Sequence, residues 1–280
     1  MSQELTKIKS RIKSVSGALK VTSAMKLVST VKLKKWKGKM IANRTYAQQM
    51  EEITETILNY AKHANSPFCK SNENAEKNLY IVVSSTLGLC GAYNSNIFRL
   101  AEANIKEQDD AIILGNKGIV HFKDGGFTSL EGFKDYNTVQ DSSTLRAINN
   151  TIINNFLNGT YKEVHLIYTE FKNSLVFRPR DFVILPLNFN KEDPFNYGPI
   201  LEPDEKSLVN TLIPIYLKTV IFSKLLESEV CEQAARSNAM ENATNNANDL
   251  LADLQIEFNK ARQSAITQEI TEIVGAAEAL

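Results

Sequence analysis

The sequence predicts an α/β protein in which long N- and C-terminal helices pair as an antiparallel coiled coil around an inserted Rossmann-like α/β domain. Three observations lead there. Residues 2 to about 60 contain no proline and only two glycines, Gly17 and Gly38. From about residue 204 a second stretch of similar length carries apolar side chains three or four apart. Between them, residues 77 to 190 alternate short apolar runs with helix-like stretches, the pattern of a largely parallel sheet.

The first helix is read from Ile8, Ile12, Val15 and Leu19, which step by four, three and four as a coiled-coil seam does. Met25, Val28, Leu33, Met40, Met50, Ile53 and Ile57 are expected to carry the stripe onward. Ser66-Pro67 closes this first region, residues 1–65. In the middle domain, Leu79 to Ser85 reads as a buried strand followed by a glycine turn, Gly88 to Gly91, and a helix from Asn94. Ala111–Leu114 and Val164–Tyr168 read as further strands, with a helix from Ser142 to Leu157 between them. Val176 to Leu187 carries Pro179 and Pro186, which suits an edge strand. Pro194 to Pro203 marks the second junction.

The closing region, residues 204–280, is expected to begin at Asp204 as a helix cap. Pro214 should then kink the helix or mark its true start. Leu208, Leu212, Ile215, Thr219, Phe222, Leu226 and Val230 give its first stripe, and Leu250, Leu251, Leu254 and Phe258 resume it. Gln233 to Asn248 is rich in Ala and Asn. Either another surface approaches closely there, or the coil is simply thinner.

The charge is polarised along the chain. Residues 1–50 hold 12 Lys or Arg against one acid, Glu4, and residues 201–280 hold 13 Asp or Glu against 6 Lys or Arg, so a formal net charge of zero hides a basic start and an acidic end. Helices of opposite charge at the two ends can pair antiparallel if the middle returns the chain to its start, giving a rod with a globular foot. The basic flank calls for an acidic partner such as nucleic acid, anionic lipid or an acidic protein surface.

The composition, 43% hydrophobic and 23% charged, excludes a disordered chain and a disulfide scaffold. Cys69, Cys90 and Cys231 are scattered and odd in number, which favours a reducing compartment. No uninterrupted apolar run approaches a membrane span and no signal-peptide pattern opens the chain, so a soluble protein is expected.

Catalytic chemistry is absent from the motifs. Gly88-x-x-Gly91 follows a strand but lacks the rest of a dinucleotide fingerprint, so it reads as a tight turn into a helix. No phosphate loop occurs. His63, His121 and His165 have no ligand-spaced neighbours, and no metal or cofactor is expected. Cys90 is either a thiol activated by a helix N-terminus or a small buried hydrophobe.

The two ends carry a family resemblance. Ile8 to Val15, Val21-Thr-Ser-Ala-Met-Lys-Leu-Val28 and Lys32 to Lys34 resemble the opening helix of the gamma subunit of F-type ATP synthases. Glu232-Gln-Ala-Ala-Arg-Ser-Asn-Ala-Met240, Asn259 to Gln263 and Ile266 to Val274 resemble its closing helix, Ser85 to Asn94 its middle-domain glycine turn, and Leu201 to Asp204 its entry to the last helix.

The resemblance implies a central rotor stalk without an active site of its own. Its coiled coil would run up the axis of three alpha and three beta subunits and couple rotation to ATP synthesis or hydrolysis. An epsilon-type subunit and a membrane rotor ring carrying hydrogen ions would complete the complex. It would lie in the cytoplasm or peripherally on the cytoplasmic face of the cell membrane. By position in these strings, Met25 and Lys26 would meet the beta levers, with Lys9, Lys13, Lys20, Lys32, Lys34 and Lys35 facing acidic lever segments. Arg236, Gln263 and Thr267 would hydrogen-bond a beta catch loop, with Arg262 and Glu269 in the same motif. Tyr197 and Glu202 would lie near the rotor ring or epsilon.

Two departures stand out: Thr86-Leu87 before the glycine turn, where the family has an acid or Asn and then Arg, and Gly275-Ala276-Ala277 near the end, where it has Ser-Gly-Ala. Three other readings are carried: the shaft of a divergent F-type-like ATPase driving an output other than proton translocation, a dinucleotide-binding enzyme, and a nucleic-acid-binding coiled coil.

Overall fold

Alternate residues of Lys77–Val83 point to opposite faces of a sheet, and both faces are covered, which is why this strand (β1) is apolar almost throughout. The computed structural model describes residues 3–60, 66–130, 133, 142–188, 201–202 and 204–278. Among these, β1 is flanked in parallel by β2 (Asp110–Leu114) and β4 (Tyr161–Phe171). The short β3 (Thr128–Ser129) extends the parallel side, and β5 (Phe177–Leu185) closes the other edge antiparallel to β4. The order is β3-β2-β1-β4-β5. Four helices join this sheet to its surroundings: α2 (Tyr93–Asn104), α3 (Asn116–His121), α4 (Ser142–Leu157) and the long α5 (Glu205–Glu278), with α1 (Gln3–Tyr60) leading the chain.

One sheet face, with Tyr80, Val82, Ala111, Ile113 and Ile167, packs on Ile97 and Ala101 of α2 and on Phe122 after α3. The other, with Leu79, Ile81, Ile112, Leu114, Val164 and Leu166, packs on Ile148 and Ile152 of α4 and on helix residues between Trp36 and Val230. The chain divides into two compact units: residues 1–31 with 236–280, and residues 32–235. Each long helix contributes to both.

Counting α1 in sevens accounts for its buried stripe. Leu5, Ile12, Leu19, Lys26, Leu33, Met40, Ala47 and Thr54, with Ile8, Val15, Thr22, Ser29, Trp36, Asn43, Met50 and Ile57, are all buried or half-buried. Val28 and Ile53, expected on the seam, are 55% and 51% exposed. Hydrophobicity draws the stripe toward them, whereas the seven-residue period runs through the less apolar Ser29 and Thr54 beside them. In α5, Ile215 and Leu250 are likewise exposed, at 45% and 42%. The buried positions from Val209 to Val230 include Ile213, Tyr216, Leu217, Ile221, Leu225 and Leu226, a broader face than one seam because this half of α5 packs within the core of its unit. An eighteen-residue window of α5 is apolar enough by length and composition to cross a membrane.

Asp204 caps α5, its Oδ1 accepting the Ser207 N–H at 2.9 Å. That bond and its neighbours hold the Asp204 carboxyl below the usual aspartate range. The helix starts ahead of Pro214 and continues through it; Asn149 of α4 donates to the Pro214 carbonyl at 3.2 Å.

The glycine turn is closed on itself. Asn94 accepts the Ser85 N–H at 3.0 Å and donates to Ser85 Oγ at 2.7 Å, while Leu89 and Gly91 take positive φ values of 62° and 57°. Tyr93 and Cys90 then lie against Cys231 and Ala235 of α5, and the Tyr93 hydroxyl meets Ser228 Oγ at 2.8 Å. At this end of the Ala-rich segment, small side chains do admit a close neighbour: the turn itself. Ala235→Leu should overpack the contact and destabilise the sheet unit by about 1–3 kcal/mol, read from urea unfolding; an unchanged midpoint would show that the turn yields freely.

Candidate partner interface

In the unit formed by the two chain ends, the helices run antiparallel in a register marked by polar pairs. Thr22 meets Thr244 at 3.0 Å between hydroxyls, Lys26 meets Glu241 at 2.8 Å, and Thr30 meets Ser237 at 3.0 Å. Steps of four along α1 match steps of three and four back along α5, as paired helices require. Below these rungs Leu5 and Ile8 are buried, as is Leu254 on the other helix. Continuing the register one residue for one places Gln3 level with Ser264. From Ile266 to Ala277, α5 is exposed on every side, a stretch of about 18 Å at 1.5 Å per residue. Ile266, Ile270, Ile273 and Val274 stand exposed along it.

The site residues expected from the sequence fall in different settings. Met25 is half-buried beside the seam. Lys26 is bound to Glu241, with both side chains substantially exposed, so the pair adds little stability by itself. Lys9, Lys13, Lys20, Lys32, Lys34 and Lys35 are exposed. Gln263 and Thr267 are exposed and successive on one face, the Thr267 hydroxyl donating to the Gln263 carbonyl at 2.9 Å. Arg262 and Glu269 are exposed as well. Arg236 is 5% exposed and so differs from Gln263 and Thr267. Glu202 is exposed and borders a shallow groove with Glu52, Ile53, Thr56, Leu201 and Leu208. Tyr197 lies outside the described residues.

Sequence reading missed Thr22, Thr30, Ser237, Glu241 and Thr244. Strict counting in sevens from Ile8 reaches Thr22, and the charge of Lys26 on a seam position asks for an acid opposite; those were the available signals.

Among the described residues no group of His, Cys, Asp and Glu is arranged to hold a metal ion. Cys90 is buried in the apolar contact described above, and burial pushes the neighbouring Cys231 thiol far up. His121 bonds Glu102 at 2.7 Å on the surface, and His63 lies outside the described residues.

The ATP synthase family matches residues 4–280. The chain belongs to this family, among its gamma chains. It is 35% identical over 276 residues to the ATP synthase gamma chain of Mycoplasma capricolum, covering 98% of each sequence. It is 38% identical over 275 residues to that of Mycoplasmopsis pulmonis, covering 96% of this chain and 97% of the relative. Among solved structures, the central stalk and c-ring of the Tetrahymena thermophila mitochondrial ATP synthase includes a chain matching 80% of this one and 99% of itself. That match has a TM-score of 0.58 and 25% identity. A chain of the Euglena gracilis mitochondrial ATP synthase shares the fold at a TM-score of 0.55 and 18% identity, over 89% of this chain and 95% of its own. The gamma-chain fold expected from the two ends is therefore the fold present, coiled-coil ends and parallel-dominated sheet included.

Proposed function

We propose that this gamma-family chain is the non-catalytic central shaft of an F-type ATP synthase or ATPase, turning within three alpha and three beta subunits that hold the nucleotide sites. The antiparallel pairing of residues 3–31 with 236–264 supports this reading most directly. A two-helix coil presents different residues around its circumference, so each surrounding subunit meets a different surface. That difference is what coupling rotation to three sites in sequence requires.

Met25 and Lys26 on α1, and Gln263 and Thr267 on α5, are the proposed contacts with beta subunits. Arg236 contributes from a buried position, where it orders the helix beside it as well as any partner loop. Glu202 and Tyr197 are proposed to face the rotor ring or an epsilon-type subunit, and the complex to sit peripherally on the cytoplasmic face of the cell membrane. The glycine turn supports the non-catalytic reading, because Ser85 and Asn94 spend their hydrogen bonds within it, on each other, on the Leu87 carbonyl and on Cys90 Sγ.

The departure at Thr86-Leu87 favours keeping a second reading. Leu87 is exposed where the family pattern has Arg, which suits a foot docked to something other than a standard rotor ring. Native mass measurement of the purified complex tests the assignment. One copy of this chain with three each of two nucleotide-binding subunits is expected. ATP hydrolysis by the isolated chain would contradict it.

A further inference from the structure

The sheet unit contains a partly buried polar cluster, centred on a buried histidine, that the shaft role does not use. His165 of β4 is 8% exposed. Its Nδ1 lies 2.9 Å from Asp181 Oδ1 on β5, and its Nε2 lies 3.2 Å from Glu163 Oε2 on its own strand. Asn104, at the end of α2, donates to the other Asp181 oxygen at 2.7 Å. Tyr80 of β1 stacks on the imidazole with ring centres 4.6 Å apart, and its hydroxyl donates to the Asn104 carbonyl at 3.3 Å. Three strands and a helix thus meet at one ring.

The strand most dependent on this cluster is β5. It is an edge strand paired to β4 alone, and its register with β4 shifts between Val164 and His165, where the ladder is interrupted. A side-chain tie at that break substitutes for what the backbone omits there.

We propose that His165 is a proton-operated clamp that fastens edge strand β5 and the end of α2 to the sheet, tight when the ring is charged and loose when it is neutral. The chemistry follows from the inventory of hydrogens. An imidazolium carries two N–H groups and satisfies both carboxylates. A neutral imidazole carries one, so either Asp181 or Glu163 faces a ring lone pair. The bond that remains also loses its charge assistance.

The charged and titratable groups around the ring are Glu163 of β4, Asp181 of β5 and Tyr80 of β1, with Asp109, just before β2, acting on Tyr80. Burial pulls the His165 pKa down, but its hydrogen bonds and charge interactions with Asp181 and Glu163 more than reverse this, leaving it raised. A raised folded-state value means the clamp stabilises fully below the unfolded histidine pKa, about 6.5. That stabilisation is lost as pH climbs through the folded value.

Amide hydrogen exchange on the full chain, between about pH 5.5 and 8.5 and corrected for intrinsic rates, reads this directly. Protection at residues 181–185 and 101–104 should fall several-fold as pH rises, while β1 and β2 stay level. His165→Gln should abolish that pH dependence. Glu163→Gln removes the more exposed partner and should move the transition to lower pH without unfolding the sheet. Protection of β5 that does not change with pH in the parent, or that changes identically in His165→Gln, would overturn the proposal.

Discussion

Gly115→Ala is expected to destabilise the sheet unit by more than about 3 kcal/mol. Gly115 joins β2 to α3 with φ +92°, and an added Cβ would lie 2.2 Å from the Ser84 carbonyl oxygen and 2.8 Å from Ser84 Oγ. Both the dihedral and the space therefore forbid a side chain. Relief by moving Ser84 is blocked, because its hydroxyl donates to Leu114 O at 2.8 Å and accepts the Gly118 N–H at 2.8 Å. Ser84 follows β1 and Gly115 follows β2, and the Ser84 N–H donates to the Leu114 carbonyl at 2.8 Å across these adjacent parallel strands, so displacing either residue disturbs the sheet rather than a loop. Gly38→Ala is the control: nothing lies within 4 Å of its added Cβ, and a helical glycine replaced by alanine should gain up to about 1 kcal/mol. Urea unfolding of both variants measures the difference; equal midpoints would show that the turn is not strained.

The second large effect separates two proposed contacts by their burial. Arg236→Ala should weaken the helical pairing and the coupling together, with a stability loss of about 2–4 kcal/mol, because the residue is 5% exposed and interacts within the chain. Gln263→Ala should leave stability within about 0.5 kcal/mol, since its side chain faces solvent. Any loss of torque in that variant then belongs to a partner contact. Thermal unfolding of the free chain and rotation of the assembled complex, measured on both variants, distinguish these roles. Arg236→Lys keeps the charge without the planar fork and should restore only part of the stability. Full torque in Gln263→Ala would remove that residue from the interface while leaving the pairing of the ends intact.

The architecture was legible because its two periodicities are strong and separate. Ile8, Ile12, Val15 and Leu19 mark a helix seam without help from tertiary context. Leu79 to Val83, short, β-branched and followed by a glycine turn, reads as a strand buried on both faces. Legibility faded where burial and hydrophobicity diverge. Ser29 is buried and Val28 exposed because helix geometry decides which side faces inward, and a large apolar residue one position off the seam misleads any reading by hydropathy. Ile215 failed for a related reason: the face of α5 buried from Val209 to Val230 runs through Ile213, Tyr216 and Leu217, and Ile215 lies off it.

The candidate interface was legible mainly through resemblance, since Gln263 and Thr267 are ordinary polar residues on an exposed helix and nothing in their spacing announces a partner. Arg236 shows the limit of carrying a role across by position. The motif places it, but its burial depends on packing that no short string encodes. The Lys26–Glu241 tie is a contact between residues 215 apart, visible only once the register is known.

Imaging of the native complex bears most directly on the central claim. Residues 3–31 and 236–264 are expected wound together on the axis of the hexamer, Thr22 beside Thr244, with residues 266–277 continuing alone along it. A map that places the two ends apart, or outside the ring of nucleotide-binding subunits, would contradict it.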